Sequence, residues 1–319
     1  MKEAEDGTKG LISFVERMFY DPGPTERAVS LLLSPLSWLY GGGMWLRRRL
    51  AKRRRYPVPI LSVGNLVVGG SGKTPFTIAL ASHYQDQGVW IVSRGYGRRS
   101  RGLVEVSHPG RILCDVEASG DEAMEMARAL PGAGVIVSED RHQGIEKALE
   151  RGAGIIILDD GFNRVEIEKF EILLEPEGIP NRRVLPAGPF REFPATASVA
   201  DLQLREGREY RRRVRLSDPT ERMLLVTSIA RPDRLDPWLP PELLGRITLP
   251  DHAWFDGEKL HALMKAYGAE SLLVTEKDAV KLEKFQLPLS RLKLQLEIDH
   301  GVRDAVDRYL KETANATQN

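Results

Sequence analysis

The stretch from residue 59 to residue 87 is the feature that most constrains the fold of this chain. Its short apolar run, Ile60 to Val63, predicts a buried strand, and a glycine-rich loop (residues 64–72) follows it. The loop leads into Gly72-Lys-Thr74, and residues 76–87 predict a helix. A strand, a glycine-rich loop and a helix in this order are typical of a phosphate-binding loop, or P-loop.

Each part of this loop has a role in binding a phosphate chain. Its glycines can take positive φ and let backbone N–H groups approach phosphate oxygens closely. The helix N-terminus offers unpaired N–H donors and a partial positive charge. Lys73 adds a full charge near the β- and γ-phosphates, and the Thr74 hydroxyl can bind Mg²⁺. The predicted phosphate-binding residues are Gly69, Gly70, Ser71, Gly72, Lys73 and Thr74.

The loop departs from the general pattern at one position. That pattern has a glycine five residues before Gly72, whereas this chain has Val67 there. The alternative interpretation is a glycine-rich turn between a strand and a helix with a chance lysine. The occurrence of strand, loop, Gly-Lys-Thr and helix in one order favours phosphate binding.

The chain of 319 residues is long enough for two domains. Alternating strand and helix patterns predict an α/β protein with a mostly parallel sheet. We predict a P-loop NTPase core over residues 57–217 and a second, smaller α/β domain over residues 218–319. The boundary is placed at the turn residues Ser217-Asp-Pro-Thr-Glu221, after a very basic stretch. The single cysteine, Cys114, cannot form an internal disulfide, which fits a reducing compartment.

Residues 1–56 have the composition of a membrane-associating segment. Between Arg27 and Arg47 lie 19 residues without a charge, and residues 47–55 then carry seven positive charges. Proline, glycines and serines within the apolar stretch disfavour a transmembrane helix, while tryptophan and tyrosine beside arginine suit the headgroup level. Amphipathic helices at the membrane surface are the favoured interpretation. A transmembrane span and helices packed on the protein's own core remain the alternatives.

A second nucleotide-binding motif follows further along the chain. Residues 89–93 and 134–138 predict buried strands, and Gly154-Ile-Ile-Ile-Leu-Asp-Asp160 predicts another. A buried strand that ends in Asp159-Asp160 can carry a carboxylate to a metal beside the phosphate loop. Many α/β proteins also have apolar strands that end in aspartate, so this motif indicates a nucleotide site only in combination with Gly72-Lys-Thr74.

Two further segments carry candidate site residues. The loop Arg94-Gly-Tyr-Gly-Arg-Arg-Ser-Arg101 could bind a phosphate or a sugar, or it could be a solvated basic turn. Ser119-Gly-Asp-Glu122 has the pattern of a helix capping box, in which Ser119 and Glu122 would satisfy backbone N–H groups. A kinase also needs a base or an orienting group for the acceptor hydroxyl, and Asp121 is a candidate for this role.

The assembled motifs resemble those of the tetraacyldisaccharide 4′-kinases, which phosphorylate the lipid A precursor at its 4′ position. The resemblance runs essentially from end to end, and the missing glycine at Val67 is shared by the family's own loop. The motifs that carry it are residues 35–40, 63–75, 93–97, 120–122, 159–161, 185–192, 229–234, 250–252 and 275–281. The family commonly has Gln and His where Asn163 and Arg164 stand here, so the roles of these two positions are open.

The resemblance implies a site and a mechanism. ATP would bind on the phosphate loop, with Mg²⁺ near Thr74, Asp159, Asp160 and Glu192. The residue that accepts or orients the proton of the 4′-hydroxyl would be Asp121, assisted by His252 and with Lys73 on the phosphates. Side chains that line the substrate or phosphate site would be Arg94, Tyr96, Glu122 and Arg141.

The resemblance also implies partners and a location. The acceptor would be tetraacyldisaccharide 1-phosphate, the product lipid IVA, and the protein would lie peripherally on the cytoplasmic face of the bacterial inner membrane. No nucleic acid is expected as a partner, because the apolar segment beside residues 47–55 favours lipid. The alternative function is a membrane-recruited P-loop switch or partitioning-type ATPase, which would hydrolyse ATP without transfer to lipid.

Overall fold

The computed structural model describes residues 2–69, 72–176, 178–229, 232–251 and 253–317, and side chains within residues 10–315. The predicted site residues Gly70, Ser71 and His252 lie outside the described residues. Within the described part the chain is an α/β protein built on two mostly parallel sheets, as predicted.

The N-terminal segment forms three helices: α1 (Lys2–Tyr20), α2 (Pro24–Leu32) and α3 (Ser34–Leu50). Helix α3 tolerates its proline because Pro35 lies in the first turn, where the missing N–H would have no helical partner. It also continues through its three glycines. Gly41 is needed for close packing, since a Cβ there would lie 2.5 Å from the ring of Phe193. None of the described helices is long and apolar enough to cross a membrane.

The first sheet has eight strands in the order β4-β3-β5-β2-β6-β1-β7-β8. All neighbouring pairs are parallel except those made by β3, which is antiparallel to both β4 and β5. The strands are β1 (Ile60–Gly64), β2 (Val89–Ser93), β3 (Val104–His108), β4 (Arg111–Ile112), β5 (Gly134–Val137), β6 (Ile155–Asp159), β7 (Phe170–Glu175) and β8 (Leu202–Arg205).

The central strands of the first sheet are mostly apolar and buried along their whole length, because both faces of the sheet are covered. The helices in this part of the chain are α4 (Lys73–Ser82), α5 (Val116–Ser119), α6 (Asp121–Ala129) and α7 (Arg141–Glu150). Helices α4 and α6 pack on one face, and α7 packs on the other. The glycine-rich loop joins β1 to α4, as the sequence predicts.

The second sheet has five strands in the order β11-β10-β12-β13-β9, with β9 antiparallel to β13. The strands are β9 (Tyr210–Ser217), β10 (Met223–Thr227), β11 (Leu243–Thr248), β12 (Ser271–Thr275) and β13 (Leu289–Ile298). The helices are α8 (Gly257–Tyr267), α9 (Glu276–Leu282) and α10 (His300–Thr317). Strand β9 precedes the predicted domain boundary at residue 217, so the basic stretch before that boundary is the edge of the second sheet.

The two sheets share one apolar core. Helix α4 contacts β1 and β6 of the first sheet on one side and β13 of the second sheet on the other. Phe76 of α4 packs edge-on against Tyr210 of β9, with ring centroids 5.3 Å apart. Helix α10 then returns to the first sheet, where the ring of Tyr309 lies 4.9 Å from that of Phe170. The helix behind the glycine-rich loop is therefore held by both parts of the chain.

Candidate active site

The candidate site lies at one edge of the first sheet, where the carboxyl ends of its parallel strands meet. The loops that follow β1, β2, β5 and β6 all open at this edge. In open α/β sheets this edge is where ligands bind, because side chains and helix N-termini converge there.

Two glycines of the glycine-rich loop have the positive φ that the sequence predicts. Gly69 and Gly72 have φ values of 89° and 78°, which a residue with a Cβ rarely adopts. The hydroxyl of Tyr20 on α1 donates to the carbonyl of Val68, which ties the loop to the N-terminal segment. Val67, the departure from the general pattern, is buried in a small apolar cluster with Phe162. At this position a buried side chain supports the loop.

Lys73 is the first residue of α4, and its ammonium group lies among polar groups of the site. It donates to the side-chain oxygen of Asn65 over 3.1 Å and lies 3.4 Å from a carboxylate oxygen of Asp160. Thr74 follows it and is buried. Both residues project from the start of a helix, where its dipole favours an anion.

Asp160 lies immediately after β6 in a left-handed conformation, with φ of 53°. Arg191 binds its carboxylate with distances of 3.0 and 3.2 Å. Burial acts to raise the pKa of Asp160, but the positive charges of Lys73 and Arg191 outweigh it, so its pKa lies below the ordinary value. Asp160 therefore carries a negative charge beside the glycine-rich loop.

Asp159, the last residue of β6, faces the interior of the site. Its carboxylate accepts from the hydroxyls of Thr77 on α4 and Ser93 on β2, over 3.2 and 3.3 Å. Burial raises its pKa to about 7, and the negative charges of Glu122 and Asp160 add to this. The two neighbouring aspartates therefore differ in their partners. Hydroxyl groups donate to Asp159, whereas the cationic side chains of Lys73 and Arg191 bind Asp160.

Arg141 is buried at the start of α7, behind the end of β6. It donates to the carbonyls of Ser138 and Asp159 over 2.5 and 3.4 Å. Burial lowers its pKa to about 10, and the positive charge of Arg164 acts in the same direction. Arg164, one of the two positions where the chain differs from the family pattern, thus lies within electrostatic range of a predicted site residue.

Glu192 was predicted to lie near the metal, and the structure gives it another partner. Both of its carboxylate oxygens accept from the guanidinium of Arg48 on α3, over 2.8 and 2.9 Å. The same guanidinium donates to the carbonyl of Phe162 and lies over that ring. Because one arginine occupies both oxygens, Glu192 connects the N-terminal helices to the site and is not an open metal ligand in this structure. Its neighbour Arg191 reaches Asp160 instead.

The loop after β2 places two of the predicted residues at the surface of the site. Arg94 and Tyr96 are both exposed. Gly120, at the start of α6, has φ of 85°, and a Cβ there would lie 2.7 Å from the carbonyl oxygen of Tyr96. This close approach brings the Tyr96 loop next to Asp121.

The capping-box interpretation of residues 119–122 is wrong. Ser119 is the last residue of α5, and its hydroxyl donates to the carbonyls of Asp115 and Gly120. Helix α6 begins after Gly120 without a side-chain cap. Asp121 accepts the N–H of Glu122 over 3.0 Å, and its side chain is only 5% exposed. A buried carboxylate at a helix start is a candidate for chemistry.

Two lysines of helix α9, which packs with the second sheet, lie close to Asp121. Lys281 and Lys277 on α9 place their ammonium groups 3.4 and 3.9 Å from one of its carboxylate oxygens. Lys277 also lies 3.6 Å from Glu122 and donates to Asp251 over 3.1 Å. Asp251, which directly precedes His252 in the sequence, thus belongs to the same group of charges.

Lys281 is 1% exposed, which is rare for a lysine and requires full satisfaction of its charge. It donates to the hydroxyl of Ser228 over 2.6 Å and to the carbonyl of Ala253 over 3.1 Å. Asp278, in the preceding turn of the same helix, lies 3.6 Å away. The lysine is thus fixed by the second sheet and presented to Asp121 of the first part of the chain.

Comparison with known proteins identifies the family of this chain. A profile of the tetraacyldisaccharide-1-P 4′-kinase family matches residues 29–313. The chain belongs to this family. It is accordingly an enzyme of the kinase class.

Individual relatives cover almost the whole chain. Tetraacyldisaccharide 4′-kinase of Helicobacter pylori (strain HPAG1) is 46% identical over 298 residues, which are 93% of this chain and 95% of the relative. The enzyme of the same name from Aliarcobacter butzleri is 40% identical over 91% of this chain and 94% of its own length. A crystal structure of LpxK from Aquifex aeolicus in complex with ATP aligns with a TM-score of 0.74 and 29% identity, and covers 88% of this chain and 99% of that one.

Sequence reasoning missed several residues of this kinase site. Lys277 and Lys281 belong to a motif that marks the family resemblance, yet no role was predicted for them. Their spacing of four residues places them on one face of a helix, which is the signal that could have paired them. Arg191 lies within another of these motifs, residues 185–192, and no role was predicted for it either. Arg48 was predicted only as part of a basic run.

The partly buried Glu125, one helical turn after Asp121, should make the stability of this kinase depend on pH. Burial raises its pKa to about 8, and repulsion from Glu122 adds to this, whereas Lys277 opposes it. The pKa is thus higher in the folded than in the unfolded chain. Glu125 favours folding most below its unfolded pKa near 4.5, and this contribution is lost as the pH rises towards 8.

We therefore expect Glu125→Gln to gain stability relative to the wild type as the pH rises from about 5 to about 9. The measurement is the difference in unfolding temperature at each pH. Glu270→Gln, a change at an exposed glutamate, is the control and should show no such trend. A constant difference for Glu125→Gln across the range would contradict the raised pKa.

Proposed function

We propose that this protein transfers the γ-phosphoryl group of ATP to the 4′-hydroxyl of tetraacyldisaccharide 1-phosphate, a precursor of lipid A, to give lipid IVA. The observation that carries the proposal is the buried carboxylate of Asp121 at the sheet edge where the glycine-rich loop also opens. Membership of the family supports the choice of donor and acceptor. The switch or partitioning ATPase has no corresponding use for Asp121.

In this proposal the chain has a P-loop NTPase core, and the glycine-rich loop holds the phosphates of ATP. Backbone N–H groups from Gly69 to Gly72, with Ser71 among them, would approach phosphate oxygens, and Lys73 would lie against the β- and γ-phosphates. In the described structure Lys73 is close to Asp160 and Asn65, so its charge is already oriented towards the site.

The residues present also fit Mg²⁺. This ion prefers oxygen ligands and is usually held by one or two carboxylates together with phosphate oxygens. Thr74 and the ionised Asp160 supply a hydroxyl and a carboxylate beside the loop, while Asp159 is held by hydroxyl donors. Among the described residues no three His, Cys, Asp or Glu side chains form a metal cluster, which suits an ion shared with the nucleotide. Bound Mg²⁺ would neutralise charge on the transferred phosphoryl group.

Asp121 is the proposed acceptor of the proton from the 4′-hydroxyl, and His252 assists it. The ammonium groups of Lys281 and Lys277 lie 3.4 and 3.9 Å from the Asp121 carboxylate, so two positive charges hold this group in position. Arg94, Tyr96, Glu122 and Arg141 are the proposed lining of the site. Catalysis then consists mostly of positioning and of charge stabilisation on the phosphoryl group.

The proposed transfer is tested with the full-length protein, labelled ATP and tetraacyldisaccharide 1-phosphate in detergent micelles. The wild type should produce radiolabelled lipid, and Asp121→Asn should lower turnover by about 10²- to 10⁴-fold. The control is Asp86→Asn, a change at an exposed aspartate after α4. Absence of labelled lipid with the wild type would reject the function. Near-full turnover by a folded Asp121→Asn would reject only the role of Asp121.

We further propose that the N-terminal helices hold the kinase peripherally on the cytoplasmic face of the inner membrane. One side of α2 and α3 is fastened to the protein, because Ser30 and Ser37 donate to the carbonyls of Ala187 and Val184, each over 2.6 Å. The other side is apolar and exposed. Its exposed side chains are Leu31, Leu32, Leu36, Trp38, Leu39, Tyr40, Trp45, Leu46 and Leu50.

The basic run at the end of α3 would supply electrostatic attraction to anionic lipid, at about 1 kcal/mol for each Lys or Arg near the surface. Arg48 is already bound to Glu192, whereas Arg49 and Lys52 are exposed. Apolar side chains bordered by basic ones suit the headgroup level of a membrane.

The double variant Leu32→Glu/Leu39→Glu should therefore release the protein from anionic lipid vesicles. These leucines are 80% and 74% exposed, so the changes add charge without removing core contacts. The measurement is co-sedimentation with vesicles of phosphatidylglycerol and phosphatidylethanolamine. Ile112→Glu/Leu113→Glu, at exposed positions near β4, is the matched control. Equal retention of both double variants would show that α2 and α3 are not the membrane contact.

A further inference from the structure

Strand β9 lies in the region of the chain for which the sequence suggests no function. It carries four arginines, at residues 211, 212, 213 and 215. Side chains alternate between the two faces of a strand, so neighbouring arginines point to opposite sides. Arg212 faces inward with its side chain 18% exposed, whereas that of Arg213 is 68% exposed. One arginine of this basic strand is therefore directed into the protein.

The inward arginine reaches the glycine-rich loop. Its Nη2 atom lies 3.5 Å from the position that a Cβ atom on Gly72 would occupy. Gly72 directly precedes Lys73, at the N-terminus of α4. The guanidinium group therefore lies beside the backbone that the proposed function assigns to phosphate binding.

The packing of the second sheet fixes this position. Arg212 pairs with Leu296 of β13 in the antiparallel ladder, and Leu296 belongs to the core that α4 shares. Two residues before Arg212, Tyr210 packs against Phe76 of α4. The distance between Arg212 and the loop is thus set by the same contacts that join the two sheets.

Glu206 holds the guanidinium in an ion pair. Nη2 of Arg212 donates to one of its carboxylate oxygens over 3.1 Å, and the other oxygen lies 3.1 Å from Nε without the geometry of a hydrogen bond. The turn between β8 and β9 places Glu206 there, since the N–H of Gly207 donates to the carbonyl of Tyr210 over 2.8 Å. A phosphate group offers the same pair of oxygens as a carboxylate, and the planar guanidinium binds either of them.

We propose that Arg212 binds the phosphate chain of the nucleotide on the glycine-rich loop, and that Glu206 keeps the guanidinium in place until phosphate oxygens replace its carboxylate. The inference rests on the proposed binding of ATP to this loop. It gives the site a second cation beside the loop, in addition to Lys73, which lies 3.4 Å from the Asp160 carboxylate. It also means that the nucleotide contacts both sheets.

The test is the equilibrium affinity of the full-length protein for ATP and ADP, measured by calorimetry without the lipid acceptor. Arg212→Ala should weaken binding of both nucleotides about tenfold or more, since it removes charge-assisted hydrogen bonds to phosphate. Arg212→Lys should retain part of the affinity. Arg213→Ala, the outward neighbour on the same strand, should bind within about twofold of the wild type.

A second variant separates phosphate binding from a purely structural ion pair. Glu206→Gln removes the competing charge, so its affinity for ATP should equal or exceed that of the wild type. If Glu206→Gln instead weakens ATP binding as much as Arg212→Ala, the pair is structural and the inference is wrong. Unchanged affinity in a folded Arg212→Ala would also overturn it. Because no acceptor is present, neither result depends on whether the wild type phosphorylates the lipid.

Discussion

The packing of α4 between the two sheets is the constraint on which the rest of this structure depends. This helix directly follows the glycine-rich loop, and its side chains Phe76 and Leu80 are fully buried in the shared core. The second sheet is therefore part of the support for the loop. The packing of α4 also fixes the positions of α9 and β9. It therefore sets the distance from Lys281 to Asp121 and the distance from Arg212 to Gly72.

Ion pairs between distant segments of the chain specify how those segments pack around the site. A buried ion pair gives little net stability, but loss of one partner leaves an uncompensated charge and costs about 3–5 kcal/mol. The contact between Asp121 and Lys281 therefore specifies one arrangement of α6 against α9. Arg48 and Glu192 do the same between α3 and the segment of residues 185–192. In the proposed function, the contact between Asp121 and Lys281 positions the groups for the lipid acceptor relative to the glycine-rich loop. The contact between Arg48 and Glu192 positions the membrane-associating helices relative to the same loop.

Local signals in the sequence predicted much of the first sheet. The apolar runs of β1, β2 and β6 were predicted almost to the residue, because a buried parallel strand is apolar throughout. Strand β9 was not predicted, because its four arginines lie on both faces of the strand and three of them face solvent. The sequence therefore shows no clear alternation of polar and apolar residues. The partners of Asp121 and Glu192 were missed for a different reason, since each contact joins residues more than a hundred positions apart. Such pairs follow from packing, which no local pattern encodes.

If the second part of the chain holds the carboxylate proposed to activate the acceptor, Asp121 and Lys281 should act as one unit, and a double-mutant cycle between them measures this coupling. Turnover of lipid phosphorylation is measured for the wild type, Lys281→Met, Asp121→Asn and the double variant, with ATP affinity and unfolding temperature as checks on folding. We predict that Lys281→Met lowers turnover about tenfold or more in the wild type and has little further effect once Asp121 is replaced. If the two effects are independent and multiply in the double variant, Lys281 does not act through Asp121.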